Sequence, residues 1–119
     1  MSNIESHKDL DVYKKGYQLA LEIYRLTLRF PTDEKYGLTD QLRRAAVSIP
    51  SNIAEGFRRF THADFVRFLR IAYGSSSELD TQLELCSDLG ILGKNEYLKL
   101  NELNTDVSKM LHKLIVSLG

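Results

Sequence analysis

Apolar residues recur every three or four positions along almost the whole chain, and no run alternates singly as a half-buried strand requires. The pattern is densest in YGLTDQLRRAAVSIPSNIAEGFRR, residues 36–59. Leu38, Leu42, Ala45, Ile49, Ile53, Gly56 and, just beyond, Phe60 form one helical row that passes Pro50 without a change of phase. A proline inside a helix removes a donor and crowds the carbonyl four residues back, here that of Ala46, at a cost of roughly 3 kcal/mol. The unbroken phase therefore predicts a helix that continues through Pro50 with a kink, held by tertiary packing. Ser48, Ser51 and Asn52 flank the proline and are expected to hydrogen-bond the freed backbone groups.

Punctuation divides the rest into helices of about 7–30, 39–59, 61–89 and 94–118. Ser6 with Asp9 makes a weak capping box for the first, which ends before Pro31. Thr39 is the expected N-cap of the second, and Thr61 with Asp64 that of the third. Gly90 supplies the stop. Four helices with short connections in one domain, residues 1–119, read as an all-α, antiparallel up-down bundle.

Helical projection gives the third helix a stripe of Phe65, Phe68, Leu69, Ala72, Leu79, Leu83 and Cys86, broken by the small run Gly74-Ser75-Ser76-Ser77. The fourth carries Leu100, Leu103, Val107, Met110, Leu111, Leu114 and Leu118. The first helix differs in having two stripes. Leu10, Tyr13, Tyr17, Ala20, Leu21, Tyr24 and Leu28 form one; Val12, Gly16, Leu19, Ile23, Leu26 and Phe30 form the other. Together they cover about 220°, roughly twice the arc a one-sided helix needs. Either the helix lies deep between two neighbours of its own bundle, or one stripe meets another subunit. On the second reading the protein is a homo-oligomer, with Val12, Leu19, Ile23, Leu26 and Phe30 as the candidate subunit interface.

Charge adds a second asymmetry. Sixteen basic and sixteen acidic residues cancel over the chain. Yet residues 41–73 hold six arginines against Glu55 and Asp64, a net of +4, whereas residues 74–106 hold seven acids against Lys94 and Lys99, a net of −5. Such an internal dipole suits a polyanion partner or self-association. Cys86 is the sole cysteine, so no intramolecular disulfide forms and a reducing compartment is expected. The opening residues, MSNIESHKDLDVYKK, have no apolar run of signal-peptide length, and no stretch approaches the roughly 20 apolar residues of a membrane span. A soluble cytoplasmic protein without membrane contact is expected.

FPTDEKYGLTDQLRRAAVSIPSNIAEGFRR, followed by FVRFLRIAYGSSSELDTQLELCSDLG, resembles the small helical-bundle proteins encoded in intervening sequences of bacterial 23S rRNA genes. The accessory variability determinant of diversity-generating retroelements is similar in pattern. The resemblance extends from about Leu10 to Gly90 and is densest from Gln41 to Gly56. It implies a left-handed four-helix bundle assembled as a homopentamer. By analogy with the accessory branch it implies RNA, DNA or a reverse transcriptase as partner, although this chain lacks that branch's basic balance.

Arg43, Arg44, Arg58, Arg59, Arg67 and Arg70 are the candidate nucleic-acid-binding residues, since a guanidinium offers phosphate a planar fork of donors. The same arginines follow Asp40, Glu55 and Asp64 by three or four residues, the spacing of ordinary helix-surface ion pairs worth roughly 0.2–0.5 kcal/mol each. Both readings stand at this point. No catalytic residue, metal site or cofactor is expected. His7, His62 and His112 are scattered, none follows a glutamate by three residues, and no glycine-rich phosphate loop occurs. Cys86 sits on an apolar stripe as a small core residue would. The alternative to nucleic-acid binding is a pentameric interaction scaffold.

Overall fold

A computed structural model of the protein describes residues 4–34 and 37–119; Tyr36, which opens the proline-bearing block, lies outside them. Short 3-10 turns at His7–Asp9 and Thr32–Glu34 accompany four helices, α1 (Asp11–Thr27), α2 (Leu38–Phe57), α3 (His62–Asp88) and α4 (Lys94–Leu118). No strand occurs among the described residues. The helices pack in a ring, each against its two neighbours, α1 closing on α4. Ion pairs Lys15–Asp106 (3.4 Å) and Glu22–Lys99 (3.7 Å) climb α1 while descending α4, and Arg29–Glu96 continues the series just past α1, so the two helices run antiparallel.

The ends of α1 differ from the sequence expectation. Ser6 and Asp9 do form a capping box, but it closes only the 3-10 turn. Leu10 is extended (φ −74°, ψ 128°) and α1 begins after it. The backbone N–H groups of Glu5 and Ser6 donate to the Asp9 carboxylate and hold its pKa below the ordinary value. Thr39 is likewise not a cap: Gly37 holds that position, and Thr39 is buried one residue inside α2. The Thr61 hydroxyl accepts from the Asp64 N–H at 3.1 Å and caps α3.

α2 is helical on both sides of Pro50, which is itself buried. Gly16 of α1 lies opposite: a Cβ there would stand 3.1 Å from the Ile49 side chain and 3.9 Å from the Pro50 nitrogen. Close helix contact thus supplies the packing that offsets the proline. Asn52 donates to the Ser48 carbonyl (2.8 Å) and hydroxyl (2.9 Å), and Ser75 of α3 donates to that same hydroxyl (2.8 Å). The carbonyl served is Ser48's rather than Ala46's, and Ser51 is exposed.

A second polar link lies deeper, where Ser76 donates to the Asn104 side-chain oxygen (2.7 Å) and Asn104 returns a bond to the Ser76 carbonyl (3.0 Å). Both residues are buried, and their mutual bonds offset the desolvation of an amide, which unpaired costs about 1–3 kcal/mol. Around this layer lies an aliphatic core from all four helices, including Leu19, Ile23, Leu42, Ile49, Ile53, Leu69, Leu79, Leu83, Val107 and Leu111.

α3 ends in a Schellman motif. Gly90 takes φ 77°, its N–H reaches the Ser87 carbonyl (3.1 Å), and the Ile91 N–H reaches that of Cys86 (3.0 Å). A side chain in that left-handed conformation costs roughly 1–2 kcal/mol. Gly90→Ala is therefore expected to lower stability by about 1 kcal/mol, read as a reduced urea midpoint with an unchanged slope.

Candidate nucleic-acid interface

Residues 58–61 join α2 to α3 in a tight hairpin. Gly56 makes it possible: a Cβ there would meet the Phe68 Cβ at 2.7 Å and the Phe65 carbonyl oxygen at 3.2 Å. Phe57 and Phe65 meet edge to face below the turn, with centroids 6.0 Å apart. On this platform the guanidiniums of Arg59 and Arg67 both lie over the Phe68 ring, at 4.6 and 4.7 Å. Each is also tied to a nearby carboxylate, Arg59 to Glu55 of α2 at 3.3 Å and Arg67 to Asp64 of α3 at 3.8 Å. Arg58 and Arg70 are exposed, and neither joins an ion pair among the described residues. Four guanidiniums against two carboxylates leave this end of the hairpin basic.

The other two candidates stand apart. Fifteen residues separate Arg43 from Arg58 along α2, about 22 Å at 1.5 Å per residue. Arg43 is half-buried; its Nε donates to the Thr27 hydroxyl at 2.8 Å, and its guanidinium covers Tyr24 of α1 at 4.7 Å. It is a packing residue of the α1–α2 seam, so removing its side chain disturbs the fold, contrary to its place outside the apolar row. Arg44 is exposed and lies 3.9 Å from Asp40. The six arginines thus make no single patch. Three of them also hold the helix-surface pairs that their spacing suggests.

Folding separates the opposite charges as well. Asp80, Glu84 and Asp88 occupy the far part of α3, where partial burial, reinforced by these carboxylates, raises the Tyr97 phenol above its ordinary pKa. Arg67 and Asp80 are thirteen residues apart, about 20 Å, against a screening length of about 8 Å at physiological salt. Asp80, Glu84 and Asp88 therefore do little to cancel the field at the turn.

Two expectations need correction. Phe60, which continues the apolar row of α2, is fully exposed at 104 %, because α2 ends at Phe57 and the helical phase is lost in the turn. On α1, Val12, Leu19, Ile23 and Leu26 are buried in their own bundle and Phe30 packs against that core, so they are not a free subunit interface. The outward stripe is the tyrosine-bearing one, with Tyr17, Leu21, Tyr24 and Leu28 exposed, Leu28 at 78 %. The signal lay in residue type: a tyrosine ring is apolar but its hydroxyl favours water, whereas Leu and Ile carry nothing that does.

No group of three or more His, Cys, Asp or Glu among the described residues is placed to hold a metal ion. His7 packs edge-on against Tyr13, His112 lies 6.2 Å from the Tyr73 ring, and Cys86 is buried in the core. A shallow polar groove between α2 and α3, with Arg44, Glu78 and the buried Gln82 in its wall, was not visible in the sequence because its residues are far apart in the chain. No helix among the described residues is long and apolar enough to cross a membrane.

A family model described as 23S rRNA-intervening sequence protein matches residues 8–113. No curated protein matches the chain. A crystal structure of a protein with unknown function from the S23 ribosomal protein family of Bacteroides thetaiotaomicron is similar to it, with a TM-score of 0.82 and 28 % identity. The similarity covers 87 % of this chain and 94 % of that one.

Proposed function

Since the chain belongs to the 23S rRNA-intervening sequence protein family, we propose that it is a non-enzymatic, self-associating bundle that holds RNA by its phosphates at the α2–α3 turn. The observation that carries this is the cluster of Arg58, Arg59, Arg67 and Arg70 at one end of the hairpin, two of them already oriented over Phe68. Exposed arginines on helix ends, with no base-reading motif, position a backbone and discriminate little between sequences. Repetition of the turn around a homopentamer would convert weak sites into an avid one. The exposed stripe Tyr17, Leu21, Tyr24 and Leu28 supports self-association, with Arg43 contributing through its contact with Tyr24. The left-handed supercoil and the bend of α2 at Pro50 belong to the same reading, as does a reverse transcriptase as an alternative nucleic-acid-linked partner.

RNA binding measured against salt tests it. Affinity should fall with a slope of about −0.9 per duplex phosphate neutralised, or about −0.7 on a single strand. Replacing Arg58, Arg59, Arg67 and Arg70 together by Ala should flatten that slope and remove most binding, while circular dichroism and mass stay unchanged. A variant that falls apart would make these arginines subunit contacts. No RNA binding by the intact protein at low salt would leave the second reading, an interaction scaffold, which the apolar stripe of α1 favours.

A further inference from the structure

We propose that Phe60 is a stacking platform for an unpaired base, which makes the α2–α3 turn a site for single-stranded rather than duplex nucleic acid. This rests on the RNA reading above and specifies its ligand. Among the described residues Phe60 is the most exposed of the large apolar side chains, with its whole ring in solvent. The remaining aromatics of the turn are occupied: Phe57 and Phe65 pack on each other, and Phe68 lies under two guanidiniums. The turn thus presents one bare aromatic face beside charges that are already oriented.

The charge selects the occupant. Phe60 directly follows Arg58 and Arg59 in the chain, and Arg67 and Arg70 lie in the first three turns of α3, which begins at His62. Two copies of this turn set face to face would oppose arginine to arginine, which disfavours a two-fold contact of the chain through the ring. A polyanion with planar apolar faces satisfies both features. In a duplex those faces are stacked inside the helix; only an unpaired strand offers them together with its phosphates.

Phe60→Trp tests this directly, because the chain contains no tryptophan and the introduced indole is the only one. Its fluorescence should be quenched by a short oligouridylate and not by a duplex of equal length. Phe60→Ala should weaken oligouridylate binding about tenfold, within the range for loss of one base–aromatic stack. It should leave the salt slope and duplex binding unchanged, since no charge is removed. An unquenched indole, with Phe60→Ala binding as the natural chain does, would overturn stacking while the arginine contacts stood. A change of assembly mass in Phe60→Ala would show the ring to be a subunit contact and overturn it too. If the natural chain binds neither RNA, the RNA reading fails and this inference with it.

Discussion

Ile23→Glu is expected to leave the chain unfolded at room temperature, whereas Leu21→Glu, two residues away, leaves the bundle helical and breaks the proposed self-association. Ile23 is wholly inaccessible within a single chain, while Leu21 faces solvent. Burying an unpaired carboxylate costs several kcal/mol, and the lost packing of a core isoleucine about 2–5 more. Together these approach or exceed the roughly 5–15 kcal/mol by which a domain of this size is stable. Far-UV circular dichroism reads the first outcome. Light scattering reads the second, as a fall from oligomer to monomer mass with the helical signal retained. An Ile23→Glu protein that stayed helical and merely dissociated would return the inner stripe of α1 to a subunit interface and refute its place in the core.

The two helical glycines of the α2–α3 hairpin should respond to alanine with opposite signs. Alanine is better than glycine in a helix interior by about 1 kcal/mol, so propensity alone favours both changes. At Gly74 nothing lies within 4 Å of the added Cβ, and Gly74→Ala should stabilise by about 0.5–1 kcal/mol. At Gly56 the added Cβ would stand 2.7 Å from Phe68 Cβ, a position held by the backbone of α3 and not the far end of a flexible side chain. The hairpin must open to admit it. Overpacking of this kind costs about 1–3 kcal/mol, and Gly56→Val should exceed that range. Urea midpoints of the two alanine variants should fall on opposite sides of the natural protein; if both rise, the close approach at Gly56 is not as tight as described.

Much of the bundle was legible in the one-dimensional pattern. The apolar rows of α3 and α4 contain most of what those helices bury, and the unbroken phase through Pro50 anticipated the continuous α2. What escaped lies where local pattern underdetermines packing. Two equally periodic stripes on α1 cannot be ranked by periodicity, and only the chemistry of tyrosine against isoleucine separates them. Asn104 and Ser76 were invisible because a polar residue inside an apolar row reads as a gap until its partner across the core is known. At the candidate interface, residue type pointed to the arginines. Their division required the hairpin, since Arg43 finds Thr27 and Tyr24 only when α1 and α2 pack.

The paired polar layer has a consequence for how the chain can change length. Gly56 against Phe65 and Phe68 marks one level of the bundle, and Ser48–Ser75 with Ser76–Asn104 marks another. One residue added to α3 between Phe68 and Ser76 would turn everything beyond it by about 100° and strand the Asn104 amide in an apolar surround. Insertions and deletions are thus confined to the described segments that obey neither level, 28–34 and 89–93. Circularly permuted chains should be viable when opened there and fail when opened inside α3.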